Sequence, residues 1–241
     1  MKLYSSVSSE LMKLKHTSFW AIHIIVPILG AALFTFYFLQ YGNEGSDKKL
    51  KLIMEVIAMA FPLLISIITG LSILQEERAS YFQNVLTVSN RGKSFLSKLI
   101  VLYGAGVISL LALTFLFVLG ISVAGKAEVI QITLLLKAVL GMAVGNLIIY
   151  ILHLFLSFKF GIGVSLFWGV FETLQCIMYS NIELHGIARY IPFSWAVNLM
   201  HDILNKSENI VEFIAIPLLT IAALIITLVW FNNWEGRKNY E

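Results

Sequence analysis

The residues best suited to chemistry in this 241-residue chain are few and widely spaced. Four of its five histidines, His23, His153, His185 and His201, stand in or beside apolar runs, yet no H-E-x-x-H pair or comparable ligand spacing joins them. His201-Asp202 by itself does not define a metal site. Glu172 and Lys137 are the ionisable residues deepest in apolar sequence. A charge at mid-membrane costs a few kcal/mol, so each is expected to face other helices or water. No G-x-x-x-x-G-K-[ST] loop is present, so the chain offers no recognisable phosphate cradle and is not expected to hydrolyse ATP. The one cysteine, Cys176, cannot close an internal disulfide and reads as a packed thiol. An intramembrane metal-dependent enzyme and an ion-coupled secondary transporter stay open as alternatives, although no clear inverted repeat is visible.

The elements that must position these residues are membrane spans. The chain is 59% apolar and only 13% charged, against about 25% charged in soluble domains, and its mean hydropathy is +0.85. The net charge of +3 is spread among apolar runs, which argues against a nucleic-acid partner. Six segments approach the roughly 20 apolar residues that a bilayer crossing needs: 17–40, 52–74, 99–124, 129–157, 161–180 and 210–231. One transmembrane domain over residues 1–241 is expected, its first span an uncleaved helix instead of a signal peptide. Placing both termini in the cytoplasm assigns ten Lys and Arg residues inside and six outside, as the positive-inside rule favours. Pro27, Pro62 and Pro217 should bend their spans, and Gly141 and Gly145 form a small-xxx-small pair.

Three amphipathic stretches lie outside the spans. Near the start, Leu3, Val7, Leu11 and Leu14 recur at helical spacing with Ser6, Glu10 and Lys13 away from that stripe, which predicts a short interfacial helix. Between spans two and three, Glu76, Glu77 and Arg78 are expected at the start of a cytoplasmic helix that carries Tyr81, Val85 and Val88 on one face, with Phe82 and Leu86 beside them. Ser89-Asn90-Arg91-Gly92 then reads as a turn. Such a hairpin has apolar side chains that it cannot bury alone. Before the last span, Pro192 and Ser194 introduce a helix whose apolar face holds Trp195, Leu199, Met200, Ile203 and Leu204, expected to dip into the outer interface.

In this order, the three stretches resemble the permease subunits of ABC type-2 exporters. The matching residues are Glu76-Glu77, Tyr81 to Val88, Asn90-Arg91 and Lys98 in the loop, and Ile191-Pro192-Phe193-Ser194-Trp195 before the last span. The start, Ser9 to Thr17 running into Trp20 and His23, and the close, Phe231 to Lys238, look more specifically like lantibiotic immunity permeases, G-type more than E-type. The resemblance implies an all-α polytopic fold of six spans with an N-terminal interfacial helix, a coupling helix and an outer re-entrant helix. It implies a separate ABC ATPase dimer that holds ATP and magnesium, with no cofactor on this chain, and a second permease subunit, a heterodimer before a homodimer. It also implies the cell membrane of a Gram-positive bacterium and export of a cationic amphipathic peptide. On this reading Phe82, Val85 and Leu86 fill a groove on the ATPase, and Glu76, Glu77 and Arg78 set its register, with Tyr81 in the same interface. Phe193, Trp195, Glu183, Asp202 and Glu208 would meet the peptide on the outer side.

Overall fold

The structure, a computed structural model, describes residues 3–15, 17–41, 45–124, 132–181, 189–205 and 210–237. The chain builds α1 (Leu3–Lys13), α2 (Ser18–Tyr41), α3 (Ser46–Ser80), α4 (Gln83–Leu86), α5 (Arg91–Val123), α6 (Ile132–Phe160), α7 (Ile162–Asn181), α8 (Trp195–Asn205) and α9 (Ile210–Asn232). A 3-10 turn, Pro192–Ser194, leads into α8. Among the described residues there is no strand. Six helices, α2, α3, α5, α6, α7 and α9, are long and apolar enough to cross a membrane.

Four of the six spans begin and end within about three residues of the expected positions, because apolar runs bounded by polar residues fix them. The other two, α3 and α5, overrun. Nothing between Leu74 and Ser80 breaks a helix, so the polar residues there extend α3 to 35 residues. That length corresponds to about 52 Å, well beyond a hydrocarbon core of roughly 30 Å. On the far side of the loop α5 starts at Arg91, where the Asn90 side chain accepts a bond from the Lys93 N–H at 2.9 Å. The expected turn at 89–92 is therefore a cap followed by helix.

α3 is the central element and lies against both α7 and α6, while α2 packs mainly on α5. Pro27 deprives the carbonyl of His23 of its helical donor, and the Ser109 hydroxyl of α5 donates to that oxygen at 3.0 Å. A neighbouring helix thus supplies the donor that the proline lacks. The glycine pair of α6 serves α8 instead of another span. A Cβ at Gly145 would stand 2.5 Å from the nitrogen and 2.6 Å from the Cα of Ala196, and one at Gly141 would meet Ile203 at 2.6 Å. Because α8 settles into this notch, the apolar side chains Trp195, Leu199 and Met200 are buried on α6.

At the other end, α1 lies beside α5. Leu14 is buried and Val7 packs on the core, but Leu3, Leu11 and Met12 are exposed. Glu10, placed by the leucine stripe on the outward face, is instead buried. The reason is a set of ion pairs described below.

Gly145→Ala should lower stability by about 1–3 kcal/mol, since the intruding methyl meets backbone that cannot rotate away. Gly104→Ala, with nothing within 4 Å of its added methyl, should leave stability unchanged or raise it slightly. Thermal unfolding of the two variants in the same detergent checks the contrast.

Candidate functional site

The loop between α3 and α5 is built by two consecutive left-handed residues. Tyr81 (φ 48°, ψ 43°) and Phe82 (φ 66°, ψ 3°) are the two non-glycine residues with positive φ among those described. Tyr81 N–H donates to Glu77 O at 2.8 Å and Phe82 N–H to Glu76 O at 3.5 Å, closing the end of α3. Left-handed backbone strains side chains of this size and persists where the surroundings enforce it. Here it resets the helical phase. Tyr81 points out, 68% exposed, while Phe82 and Val85 turn inward at 2% and 1%. The expected helix over 81–88, with Tyr81 and Val85 on one face, shrinks to the single turn α4.

The inward side chains do not await a partner. Phe82 meets Trp234 edge-on at 5.1 Å and lies 6.1 Å from Phe158, and the Arg237 guanidinium sits over its ring at 5.0 Å. Phe158, Phe95, Phe231 and Trp234 continue this aromatic cluster. Arg91 fastens the loop to the tail after α9: its Nε donates to Leu86 O at 3.1 Å and its Nη1 to Trp234 O at 2.7 Å. Phe82 and Val85 therefore cannot fill a groove on another protein, and Leu86 is only partly exposed, packed on the same cluster. The chain's own tail occupies the place expected for the partner.

The acidic pair is likewise engaged internally. Both residues lie at the C-terminal end of α3, where the helix dipole disfavours negative charge, not at a helix start. Cations from three other segments offset this. Lys98 Nζ lies 3.0 Å from Glu76 Oε1 and 2.6 Å from Glu10 Oε2; Lys13 Nζ lies 2.9 Å from Glu76 Oε1 and 2.7 Å from Glu10 Oε1. Two carboxylates and two ammoniums thus form a closed, neutral ring joining α1, α3 and α5. The side chains of Glu10, Glu76 and Lys98 are each 5% exposed or less. Glu77 pairs with Arg237 of the tail. Burial alone would lower the pKa of Lys13, but Glu10 and then Glu76 outweigh it and hold the ammonium above the usual lysine value. Its contribution is fully present below the ordinary lysine pKa and is lost as pH climbs through the raised value.

What the loop presents to solvent is a polar face: Tyr81, Gln83, Asn84, Thr87, Val88 and Ser89 are exposed, with Arg78 and Lys93 at its flanks. Of the expected contact residues, Tyr81 and Arg78 belong to this face. Glu10, Lys13, Trp234 and Arg237 were missed as parts of the site. Acids stranded at the wrong end of a helix were the signal that cations had to reach them from elsewhere.

At the opposite end, Asp202 lies 3.8 Å from Arg189, and His201 lies 3.1 Å from Glu55. Trp195 is 1% exposed and donates its indole N–H to Arg189 O at 3.1 Å, so it supports the wall and is not open to a peptide. Phe193 is partly exposed and stacks on Tyr179. Glu183 and Glu208 lie outside the described residues. Of the two ionisable residues expected to face other helices or water, Lys137, in the second turn of α6, is exposed and does not pack against another helix. Glu172 does: fully buried, it lies 2.9 Å from His153 Nε2, whose Nδ1 is 2.9 Å from Ser165 Oγ. The three residue types suit hydrolysis, but all are 0% exposed, so no substrate reaches the serine. The array clamps α6 to α7.

Removing one charge from the buried ring leaves an uncompensated partner, so Lys98→Met should destabilise the fold by about 3–5 kcal/mol. Chemical denaturation of wild type and variant in one detergent, read by tryptophan fluorescence, measures the difference.

Residues 6–172 match the family described as ABC-2 family transporter protein, a stretch that contains the charge ring, the loop, four of the six spans and the first half of the fifth. No curated protein and no solved structure matches the chain. A match over more than half the length, on an all-helical bundle with six membrane-length helices, places this multi-pass membrane protein in the ABC-2 transporter family, whose members serve as the membrane component beside an ABC ATPase subunit.

Proposed function

We propose that this chain is the permease subunit of an ATP-driven exporter that moves a lantibiotic or similar cationic amphipathic peptide from the membrane to the outside, giving the producing cell immunity. ATP and magnesium reside on the ATPase dimer, and this chain binds no cofactor. A second, different permease completes the membrane part. The Lys and Arg bias supports an orientation with both termini and the α3–α5 loop in the cytoplasm, and the likeness to lantibiotic immunity permeases supports a Gram-positive host. The likeness of the Ser9–Thr17 and Phe231–Lys238 segments to lantibiotic immunity permeases supports the substrate class.

The observation that carries the transport reading is a polar loop face mounted on a rigid base. Tyr81, Gln83, Asn84, Thr87 and Val88 are exposed, while Phe82 and Val85 directly behind them are locked into a core shared with α6 and the tail of α9. An ATPase pressing on the exposed face therefore displaces more than one hairpin. Contacts of Phe82 with Phe158 and Trp234 carry the load to α6 and α9, and the charge ring carries it to α1 and α5. Tyr81 is the natural anchor, a large amphipathic side chain held outward by backbone that can adopt few other conformations.

Two classes of variant separate these roles. Tyr81→Ala combined with Val88→Asp should leave the permease folded, with an unchanged melting temperature, and abolish copurification of the ATPase. Val85→Asp should prevent accumulation of folded permease, because the new charge lies in a closed core. A cysteine introduced at Ser89 should react with a membrane-impermeant maleimide in inverted vesicles and remain unlabelled in intact cells; labelling in intact cells would place the loop outside and contradict the proposal.

A further inference from the structure

α2 and α3 face each other across a gap, because α2 packs mainly on α5. The gap has two parts. At the end nearer α1 it is a groove of about 510 Å³, walled by Leu14, Thr17 and Phe19 on one side and by Leu71, Gln75 and Arg78 on the other. Deeper along the helices it becomes a trough of about 190 Å³ with an almost wholly apolar surface. Ile22 and Ile68 line both parts, so the groove runs on into the trough.

The sequence builds this slot at helical spacing. Ile22, Val26, Gly30 and Phe34 recur every four residues on α2, and each is half-buried. Phe61 and Leu64 of α3 line the trough in the same half-covered state. From Ile22 to Phe34 on one helix, and from Ile68 back to Val56 on the other, the rise is about 18 Å at 1.5 Å per residue. That is roughly the depth of one leaflet in a hydrocarbon core of about 30 Å. Both helices turn polar at the groove, α2 at Thr17-Ser18 and α3 at Gln75, so the trough lies at the depth of hydrocarbon and the groove at the depth of headgroups.

The polar end carries a cation. Arg78 is exposed and makes no hydrogen bond or ion pair with any described residue, whereas Arg91 and Arg237 are both bonded within the chain. Among the described residues no acid lines either part of the slot. A guanidinium matches the geometry of a phosphate through paired N–H donors. The trough is too narrow for another helix, which is about 10 Å across, and suits a single unbranched chain. A ligand complementary to the whole slot therefore joins a phosphate to a long apolar tail.

We infer that the slot binds one anionic phospholipid, its phosphate on Arg78 and one acyl chain in the trough between α2 and α3. The inference requires only that the chain sits in a membrane, and not the peptide or ATPase readings.

Native mass spectrometry of the full-length chain, released from detergent micelles, tests it by counting bound lipid during titration. The probes are dioleoyl phosphatidylglycerol, dioleoyl phosphatidylcholine, and glycerol 3-phosphate, which has the phosphate without the tails. One phosphatidylglycerol should bind saturably and several-fold tighter than phosphatidylcholine, and glycerol 3-phosphate should not compete. Arg78→Gln should reduce phosphatidylglycerol to the level of phosphatidylcholine, and Val26→Trp, which fills the trough, should abolish binding of both. If Val26→Trp does not accumulate, the three probes on wild type and Arg78→Gln still decide. No saturable lipid, a headgroup preference that survives Arg78→Gln, or displacement by glycerol 3-phosphate overturns the inference. A photoreactive phenylalanine at Leu71, on the groove wall, should cross-link to lipid in native membranes; cross-linking to a protein instead would assign the groove to a partner and overturn it as well.

Discussion

Two carboxylates and one ammonium taken out of water, with the part-exposed ammonium of Lys13 closing the ring, constrain the rest of the molecule from one end of the bundle. Each of Glu10, Glu76 and Lys98 is nearly inaccessible, and none is tolerable there without the others. The ring is neutral as a whole and comes from three segments distant in sequence, so it holds only when α1, α3 and α5 are all in place. It fixes the height at which α3 ends, and thereby where the chain must turn back. The left-handed pair Tyr81-Phe82 follows from that position, since the chain has to reverse within a few residues and still return an aromatic ring to the core.

From this constraint the loop acquires its character as a buttressed surface. Its apolar residues were those most naturally assigned to a docking interface, yet they form the base, and the polar residues form the face. On the proposed transport reading, recognition by the ATPase depends on a few outward groups, chiefly Tyr81, with a closed core behind them. The opposite end follows a similar logic with different materials. The Gly141–Gly145 notch seats α8, whose buried Trp195 ties back to Arg189, and a charged cavity forms in the space between α8, α3 and α7. Between the two ends, the His153–Glu172 contact pins α6 to α7 inside the bundle.

The spans were legible from apolar run length alone, because membrane-crossing length is a one-dimensional property. So were the polar loop and the amphipathic α8. What escaped was inward and outward sense wherever it depends on distant partners. Glu10 looks outward on a helical wheel, but Lys98, 88 residues later, reverses that preference. The stripe joining Tyr81 to Val85 assumes one continuous helix, and two residues in an uncommon backbone region shift the phase. Glu172 was rightly expected to face other helices, while its partner His153, read in isolation, was only a packed histidine. The aromatic bed beneath Phe82 draws on the tail after α9, which no local pattern connects to the loop.

The central claim is that residues 82–88 are a fixed part of the bundle and not a hairpin awaiting a partner. Hydrogen–deuterium exchange on the permease alone, without the ATPase, tests it most directly. The account predicts that the Val85, Leu86 and Thr87 amides, each bonded within the α4 turn over a closed core, exchange far more slowly than free peptide. Complete exchange of this segment at the rate of an unstructured chain would contradict it.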